Sequence, residues 1–460
     1  MPTLREYQRA DVQKMLENDC IGNFSEQRTG KTPTTCTALK ERNIKHTMIV
    51  CPASLMYVWK REYELWTGFK AFVLPTTSFD LSTIPYDTAV IVNYEKLRGT
   101  SKAQPVCDTL VKWHPEAIVI DEAHRMKDRK SLTALALNKF ITITPVRIAL
   151  TGTPATNKPW DIWSILHWLF PNQYSSYWKF IQQYFYEETI WVAGQAHRQP
   201  ARFKPGMEKL LQANLDVNCI QNKRKDVMTW LPDQEEPTEV QLPLNKQQEL
   251  AINSLINYFE YKHIVTQTVL DNMIRVRQVC NAPAILDLKG KSPKLAWLEQ
   301  YIKDYPEKSI LVFSNSKKML YYVQKELKIP TDIICGDIPA KARVDIVSRF
   351  QGGAVKVLLC QTQACKEGLT LDTADVSIFL DTYPPCADYL QARDRMIATT
   401  PERNKPKEII HVMMQGTYDE KMYRLVDKNI DEASLINDYK KYIAERREAN
   451  GKSSNLLPLI

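Results

Sequence analysis

The chain lacks any long apolar run, any paired-cysteine motif and any apolar leader, and each absence removes a class of protein. Its most hydrophobic stretches, such as Ala117–Ile120 and Val376–Leu380, are a few residues long, far short of the roughly 20 that a membrane-spanning helix requires. The opening segment Met1-Pro-Thr-Leu-Arg-Glu-Tyr-Gln8 is charged and polar with no apolar core after it, so export is not expected. The ten cysteines are scattered, with no Cys-x-x-Cys pair and no close Cys/His cluster. That spacing argues against a zinc ribbon or a disulfide framework and for reduced thiols in a cytoplasm. His114, His167 and His263 have no Cys or carboxylate partner at ligand spacing, which argues against a metal role for them. What is present is ordinary for a globular protein: 44% hydrophobic and 25% charged residues over 460 positions. That length exceeds what one hydrophobic core serves, so two or more domains are expected. A net charge of +8 permits a polyanionic partner without demanding one.

Residues 1–170 alternate short β-branched runs with amphipathic stretches, the pattern of a parallel sheet with crossover helices. The clearest predicted strands are Thr47–Cys51, Thr88–Val92, Ala117–Ile120 and Val146–Leu150. Each ends in a polar cluster, and open α/β sheets bind ligands at the carboxyl ends of their strands. Residues 171–290 read as a helical insertion, with helical stretches at Tyr174–Tyr186 and Gln247–Ala282. Alternation returns over 291–435, with strands predicted at Ser309–Phe313, Asp332–Cys335, Val355–Cys360, Val376–Leu380 and Glu408–Val412. Residues 436–460 read as a charged tail containing Arg446 and Arg447. The expected fold class is therefore α/β: two parallel-sheet lobes flanking a helical insertion.

Thr29-Gly30-Lys31-Thr32 carries the core of a phosphate-binding loop. Gly30 lets the backbone approach the phosphates, Lys31 reaches their oxygens, and the Thr32 hydroxyl can ligate Mg²⁺. Taken alone, the triplet is equally a polar turn starting a helix. About 90 residues later, Asp121-Glu122-Ala123-His124 ends a predicted buried strand with two adjacent carboxylates. Such a pair is costly unless metal or hydrogen bonds satisfy it. It suits Asp121 holding the water shell of Mg²⁺ and Glu122 orienting or deprotonating an attacking water. ATP hydrolysis is the reading that accounts for both segments.

Together these residues resemble the superfamily 2 helicases, whose lobes are RecA-like, and the resemblance runs collinearly from Leu4 to Arg395. Leu4-Arg5-Glu6-Tyr7-Gln8 resembles the segment in which a Gln reads the adenine edge. Val50-Cys51-Pro52-Ala53-Ser54-Leu55, with Trp59 and Glu62 after it, and Asn93-Tyr94-Glu95 resemble DNA-contacting motifs. Leu150-Thr151-Gly152-Thr153-Pro154 resembles the motif coupling hydrolysis to lobe movement, which implies coupling roles for His124, Thr151 and Thr153. Further on, Cys335-Gly336-Asp337, Glu367-Gly368-Leu369-Thr370-Leu371 and Gln391-Ala392-Arg393-Asp394-Arg395 complete the series, placing Gly368 and Gln391 with the nucleotide. Arg224-Lys225-Asp226-Val227, Ile274–Pro283 and Trp163–Leu169 resemble the Snf2 branch, and the compact length resembles phage-encoded Snf2-like helicases that migrate branched DNA. Two positions depart from that pattern. Ala398 stands where a second Arg is usual, leaving Arg395 as the candidate finger on the γ-phosphate, with Arg393 or Arg403 to supply the missing charge. Gln27-Arg28 stands where the branch has Met-Gly.

The resemblance implies ATP and Mg²⁺ as cofactors and ATP bound between lobes, with Lys31, Asp121 and Glu122 on one side and Arg395 on the other. Forked, branched or duplex DNA is the expected partner, with no membrane. A monomer is expected, working beside replication or recombination proteins, in a host cytoplasm if phage-encoded. Ser54, Tyr94, Asn315 and Thr362 are candidate phosphate grips at strand ends, where small polar groups reach phosphates without reading bases; each is otherwise a cap or turn residue. Residues 188–204 alternate apolar and polar residues about a polar turn, as a protruding β-hairpin does. In it, Trp191, Arg198 and Arg202 suit a wedge that stacks on unpaired bases and holds phosphates; the other reading is a hairpin packing its aromatics on the lobe. Trp163, Trp168 and Trp178 sit at helical spacing and are assigned to the core. The expected function is thus an ATP-dependent DNA helicase or translocase acting on branched DNA. The alternatives are a duplex translocase that remodels protein–DNA complexes without strand separation, and a DNA-binding scaffold whose ATPase has decayed.

Overall fold

The computed structural model describes residues 3–75, 84–85, 87–98, 106–155, 158–192, 195–230, 236–365, 369–383, 386–398, 405–426 and 432–449. The chain divides into two units, Met1–Thr229 and Trp230–Ile460. The stretch 171–290, expected as one insertion, is therefore shared: its first part belongs to the first unit and the rest to the second.

In the first unit, β1 (Cys20–Asn23), β2 (Thr47–Cys51), β3 (Lys70–Val73), β4 (Thr88–Asn93), β5 (Ala117–Asp121), β6 (Val146–Leu150) and β9 (Cys219–Ile220) form one sheet in the order β3-β4-β2-β5-β6-β1-β9. Every pairing in it is parallel. The sheet is covered on both faces, as parallel sheets require. Along β2, Met48 and Val50 enter one core while Ile49 and Cys51 enter the other, and in β5 Ile118 and Ile120 alternate with Ala117 and Val119. Each such fully buried aliphatic side chain contributes about 1.5–3 kcal/mol. The remaining strands, β7 (Phe185–Val192) and β8 (Gln195–Phe203), pair antiparallel as a separate hairpin.

The second unit repeats the plan. β10 (Thr238–Leu242), β13 (Ile310–Ser314), β14 (Thr331–Ile334), β15 (Val357–Gln361), β16 (Val376–Phe379) and β17 (Glu408–Met414) lie in the order β10-β17-β16-β13-β15-β14, again parallel. Ile310 and Val312 point into one core, Leu311 and Phe313 into the other. The helical stretch expected at Gln247–Ala282 is two helices, Lys246–Tyr258 and Val269–Asn281. Phe259, at φ +60°, closes the first, and β11 (Glu260–Tyr261) with β12 (Ile264–Val265) separates them. Thr268 caps the second by accepting from Asp271 N.

The charged tail is corrected. Residues Glu432–Ala449 form a helix that packs Tyr439 and Ile443 into the core with those two helices. Arg447 is 2% exposed and donates to the carbonyls of Ile256 (2.9 Å) and Asn257 (3.0 Å). Its charge closes a helix end and is not presented to a polyanion.

Candidate functional site

β1 ends at Asn23, and the loop after it turns into the helix Lys31–Glu41 through Gly30 at φ +89°. That conformation favours glycine, and a Cβ there would also displace the Gln8 amide, whose Nε2 would lie 2.1 Å away. Gln8 reaches the loop from the first helix, its Nε2 donating to Thr29 O at 3.1 Å while Arg5 N donates to its Oε1 at 2.9 Å. Lys31 opens the helix and turns its ammonium back over the loop, donating to Ser25 O (2.8 Å) and Glu26 O (3.0 Å). Buried Thr29 closes the loop through Oγ1 to Glu26 O at 2.8 Å, and half-buried Thr32 follows in the first helical turn. The first N–H groups of a helix have no intrahelical acceptor and favour an anion. Arg28 sits at φ +70°, a conformation costing a side-chain-bearing residue roughly 1–2 kcal/mol. That is the physical reason for the Gly usual at this position.

The loop is also held from a distance. β9 pairs with β1, Asn222 N donates to Ser25 Oγ at 3.0 Å, and Glu26 N donates to Asn222 O at 2.9 Å. Arg224 N and Nε both donate to Glu26 Oε2, at 2.8 and 3.3 Å. Asn222 Nδ2 bridges to both oxygens of Asp11, whose carboxyl is pushed up to about 6 by burial, against the pull of Asn222 and Lys14. Arg224 was legible only by resemblance. Asn222 carries no sequence signal, because its partners lie about 200 residues away.

Asp121 ends β5 and Glu122 follows at φ +55°, a strained conformation for a non-glycine residue. Trp59 Nε1 donates to Asp121 Oδ2 at 2.8 Å, and Glu122 N to Asp121 Oδ1 at 3.0 Å. Burial, then the charge of Glu122, push the Asp121 carboxyl up to about 7, while the Trp59 hydrogen bond and the Lys31 charge pull it down. Two adjacent, largely buried carboxylates with one displaced this far are short of positive charge, which a hard divalent cation would supply. His124 Nδ1 lies 3.3 Å from Glu122 Oε2 and 3.1 Å from Thr151 Oγ1, which in turn accepts from Thr153 N at 3.1 Å. The three residues expected to couple are thus brought against the acidic pair within one unit.

Tyr94 is 1% exposed, and its hydroxyl donates to Asp121 O at 2.6 Å, so its side chain props the acidic pair instead of standing open at the strand end. Thr362 is turned in likewise: it is 3% exposed with its hydroxyl sealed from solvent. Ser54 is half-buried in a short 3-10 turn after β2. Asn315 keeps its place after β13, where its N–H and Nδ2 both donate to Asp381 Oδ1, at 2.8 and 3.1 Å.

Within the second unit, Arg395 is 9% exposed; its Nε donates to Gln391 O at 3.1 Å and one terminal nitrogen to Leu369 O at 3.5 Å. The guanidinium expected as a projecting finger is turned into its own unit. Gln391 is 7% exposed. Gly368 and Arg403 lie outside the described residues.

The hairpin expected at 188–204 spans 185–203, its register running from Phe185↔Phe203 to Val192↔Gln195. Its root and its far end differ. At the root Phe185 and Phe203 pack with ring centres 4.4 Å apart, whereas Trp191, near the far end, is 73% exposed. Arg198 is ion-paired to Glu187 and lies over the Trp178 ring at 4.9 Å, and Arg202 lies over Tyr186 at 5.3 Å.

The description "SNF2-related domain" matches residues 11–285, and "Helicase conserved C-terminal domain" matches residues 293–398. The chain belongs to the SNF2-related family. Among relatives of this SNF2-related chain, DNA excision repair protein ERCC-6 of Homo sapiens is 23% identical over 422 residues, covering 82% of this chain and 27% of the relative. DNA annealing helicase and endonuclease ZRANB3 of Bos taurus is 24% identical over 398 residues, covering 83% and 35%. ISWI chromatin-remodeling complex ATPase ISW1 of Saccharomyces cerevisiae is 23% identical over 442 residues, covering 89% and 38%. The chain thus spans between about a quarter and two-fifths of the length of these curated relatives. The Sulfolobus solfataricus SWI2/SNF2 ATPase core, solved in complex with dsDNA, aligns at a TM-score of 0.44 and 24% identity, over 95% of this chain and 92% of that one.

Proposed function

We propose that this SNF2-related chain is an ATP-driven motor that acts on forked or branched DNA and separates or migrates strands there. The observation that carries the motor is the convergence, within the first unit, of the Lys31 loop with the Asp121–Glu122 pair and the contact of that pair with Thr151 through His124. ATP would lay its adenine edge on Gln8 and its phosphates on the Gly30 backbone, Lys31 and the helix N-terminus. Mg²⁺, held by Thr32 and through water by Asp121, would neutralise phosphate charge. Glu122 would orient the attacking water and accept its proton. Loss of the γ-phosphate changes what Glu122 faces, and His124 would pass that change to Thr151 and the segment after β6.

The preference for branched DNA is supported by the hairpin. It exposes Trp191 near its far end, away from the aromatic root, as a strand-separating wedge requires. Relatives such as ISW1 and ZRANB3 differ in the role their names state, so that preference rests on this element. The test is ATP turnover with no DNA and with single-stranded, duplex, forked and four-way DNA, RNA serving as control, together with strand displacement from the fork. Forked or four-way DNA is expected to stimulate turnover most, and Lys31→Ala to lower it by about 10²- to 10³-fold. Unchanged turnover in Lys31→Ala refutes the motor; duplex stimulation without strand displacement refutes the branched-DNA preference and favours a remodelling translocase.

A further inference from the structure

The first unit carries a groove of about 320 Å³ that none of the chemistry above uses. Arg129 enters it from the segment after the His124 turn, Lys158 and Trp160 from the turn after the Thr151–Thr153 segment, and Tyr177 from the start of the helix Tyr177–Tyr184. Its cations face rings: the Arg129 guanidinium lies 4.4 Å from the Tyr177 ring centre and the Lys158 ammonium 5.8 Å from that of Trp160. Neither is ion-paired to a carboxylate among the described residues. Two acids also line the groove, Asp128, which accepts from Lys130 N at 2.9 Å, and Asp161, which accepts from Lys158 N at 3.3 Å. Cations poised on aromatic faces suit a phosphodiester whose base can stack beside it.

The groove is continuous with the hairpin root. Trp160 meets Phe185 of β7 edge-on at 5.5 Å. Tyr177 meets Trp178 at 5.3 Å, and Arg198 of β8 lies over that same Trp178 ring. An aromatic and cationic wall thus runs from the segments following the acidic pair and Thr151 to the strands of the hairpin.

We propose that this groove seats one unpaired DNA strand where it leaves the hairpin, a base lying on the Arg129–Tyr177 stack and the neighbouring phosphates on Arg129 and Lys158. The inference rests on the DNA reading above and adds to it the strand's exit path and a preference for single-stranded over duplex DNA. A volume of about 320 Å³ lies at the lower end of small-ligand pockets, about 300–1,000 Å³, the size of one nucleotide seated inside it.

The test is fluorescence anisotropy of the full chain with a labelled oligothymidylate and with a blunt duplex of equal length, across a salt series. For Arg129→Ala with Lys158→Ala, oligothymidylate binding is expected to weaken about tenfold or more. Its salt dependence should become shallower by about 1.4 in d log K/d log[salt], two contacts at about 0.7 each for a single strand. Tyr177→Leu should weaken the same binding at least about fivefold with the salt slope unchanged, since stacking carries no counterion release. Tyr177→Phe, which keeps the ring, should bind as the unaltered chain does, and thermal melting of each variant reports folding. Duplex affinity is expected to stay the same throughout. Equal single-strand affinity in folded double-variant and unaltered chains overturns the proposal, as does an equal loss on both DNAs. Phosphorus NMR showing the groove taking inorganic phosphate while DNA binding is unaffected by the variants also overturns it. An unaltered chain that binds neither DNA fails earlier, at the DNA reading itself.

Discussion

The indole of Trp59 makes a prediction that isolates one hydrogen bond at the acidic pair. Trp59 Nε1 donates to Asp121 Oδ2 at 2.8 Å in a site where burial already lifts the carboxyl to about 7. The bond favours the ionised form, so Trp59→Phe, which keeps a ring but removes the donor, raises the pH at which Asp121 loses its proton. A hydrogen bond to a charged group contributes about 1.5–3 kcal/mol, and 1.36 kcal/mol corresponds to one pH unit, so the displacement is about 1 to 2 pH units upward. A carboxylate must be deprotonated to face a metal ion, so activity is lost on the acid side. The assay is kcat/KM for ATP between pH 5.5 and 9.5 at limiting Mg²⁺, where the acidic limb reports the free enzyme. The expected result is an acidic limb moved to higher pH by that amount, so that the two proteins differ about 10- to 100-fold on the acid side and converge at high pH. Trp59 is 2% exposed, so thermal melting is recorded in parallel. Activity lowered by the same factor at every pH indicates lost packing, and an acidic limb left in place refutes the argument.

Other expectations concern stability and the hairpin. Asp121→Asn should raise the melting temperature of the ligand-free chain at pH 8 and leave it unchanged at pH 3.5. A carboxyl held at about 7 in the folded state, against about 3.9 unfolded, destabilises the fold as pH rises between those values and contributes nothing below both; equal melting temperatures at pH 8 contradict that account. Arg447→Ala should lower stability by about 2–3 kcal/mol in denaturant titration, because two charge-assisted bonds to the Ile256 and Asn257 carbonyls are lost, with DNA affinity unaltered; weaker DNA binding would return the tail to the nucleic-acid surface. Replacing residues 190–197 by Asn-Gly joins the register partners Thr189 and Arg198 through the two-residue loop that hairpins favour. Fork displacement should fall at least about tenfold while DNA-stimulated ATP turnover stays within about twofold, the loss expected when a stacking aromatic is removed; full unwinding removes the wedge.

Strands buried on both faces were legible because nothing else writes short β-branched runs ending in polar clusters: β2 and β6 match their predicted limits residue for residue, and β5 differs by one. β1 and β9 were not, since Cys20–Asn23 and Cys219–Ile220 are too short to show a period. Lys31, Asp121 and Glu122 announce themselves by local chemistry, whereas Trp59 and Asn222 act across 62 and 211 positions, which no spacing rule reaches. The inward turn of Tyr94 and Thr362 was illegible for the converse reason: standing at the end of a strand fixes a residue's position but not whether its side chain turns outward. The tail misled because charge was counted and Tyr439, Tyr442 and Ile443 were not; they are the face the helix buries.

The attachment of β9 to β1 sets an order in time. A nascent chain that has reached residue 170 possesses six of the seven strands of its first sheet, including β6 on one side of β1, yet it holds neither β9, the partner on the other side, nor Asn222 and Arg224, which grip Ser25 and Glu26. The nucleotide loop, made before most of the sheet, is therefore among the last parts of its unit to be finished, about 200 residues after it is made. Until then the loop keeps its bonds with Gln8, Thr29 and Lys31, and any stabilisation of the unit by a bound nucleotide is expected to reach its full size only once residues 219–224 have been synthesised.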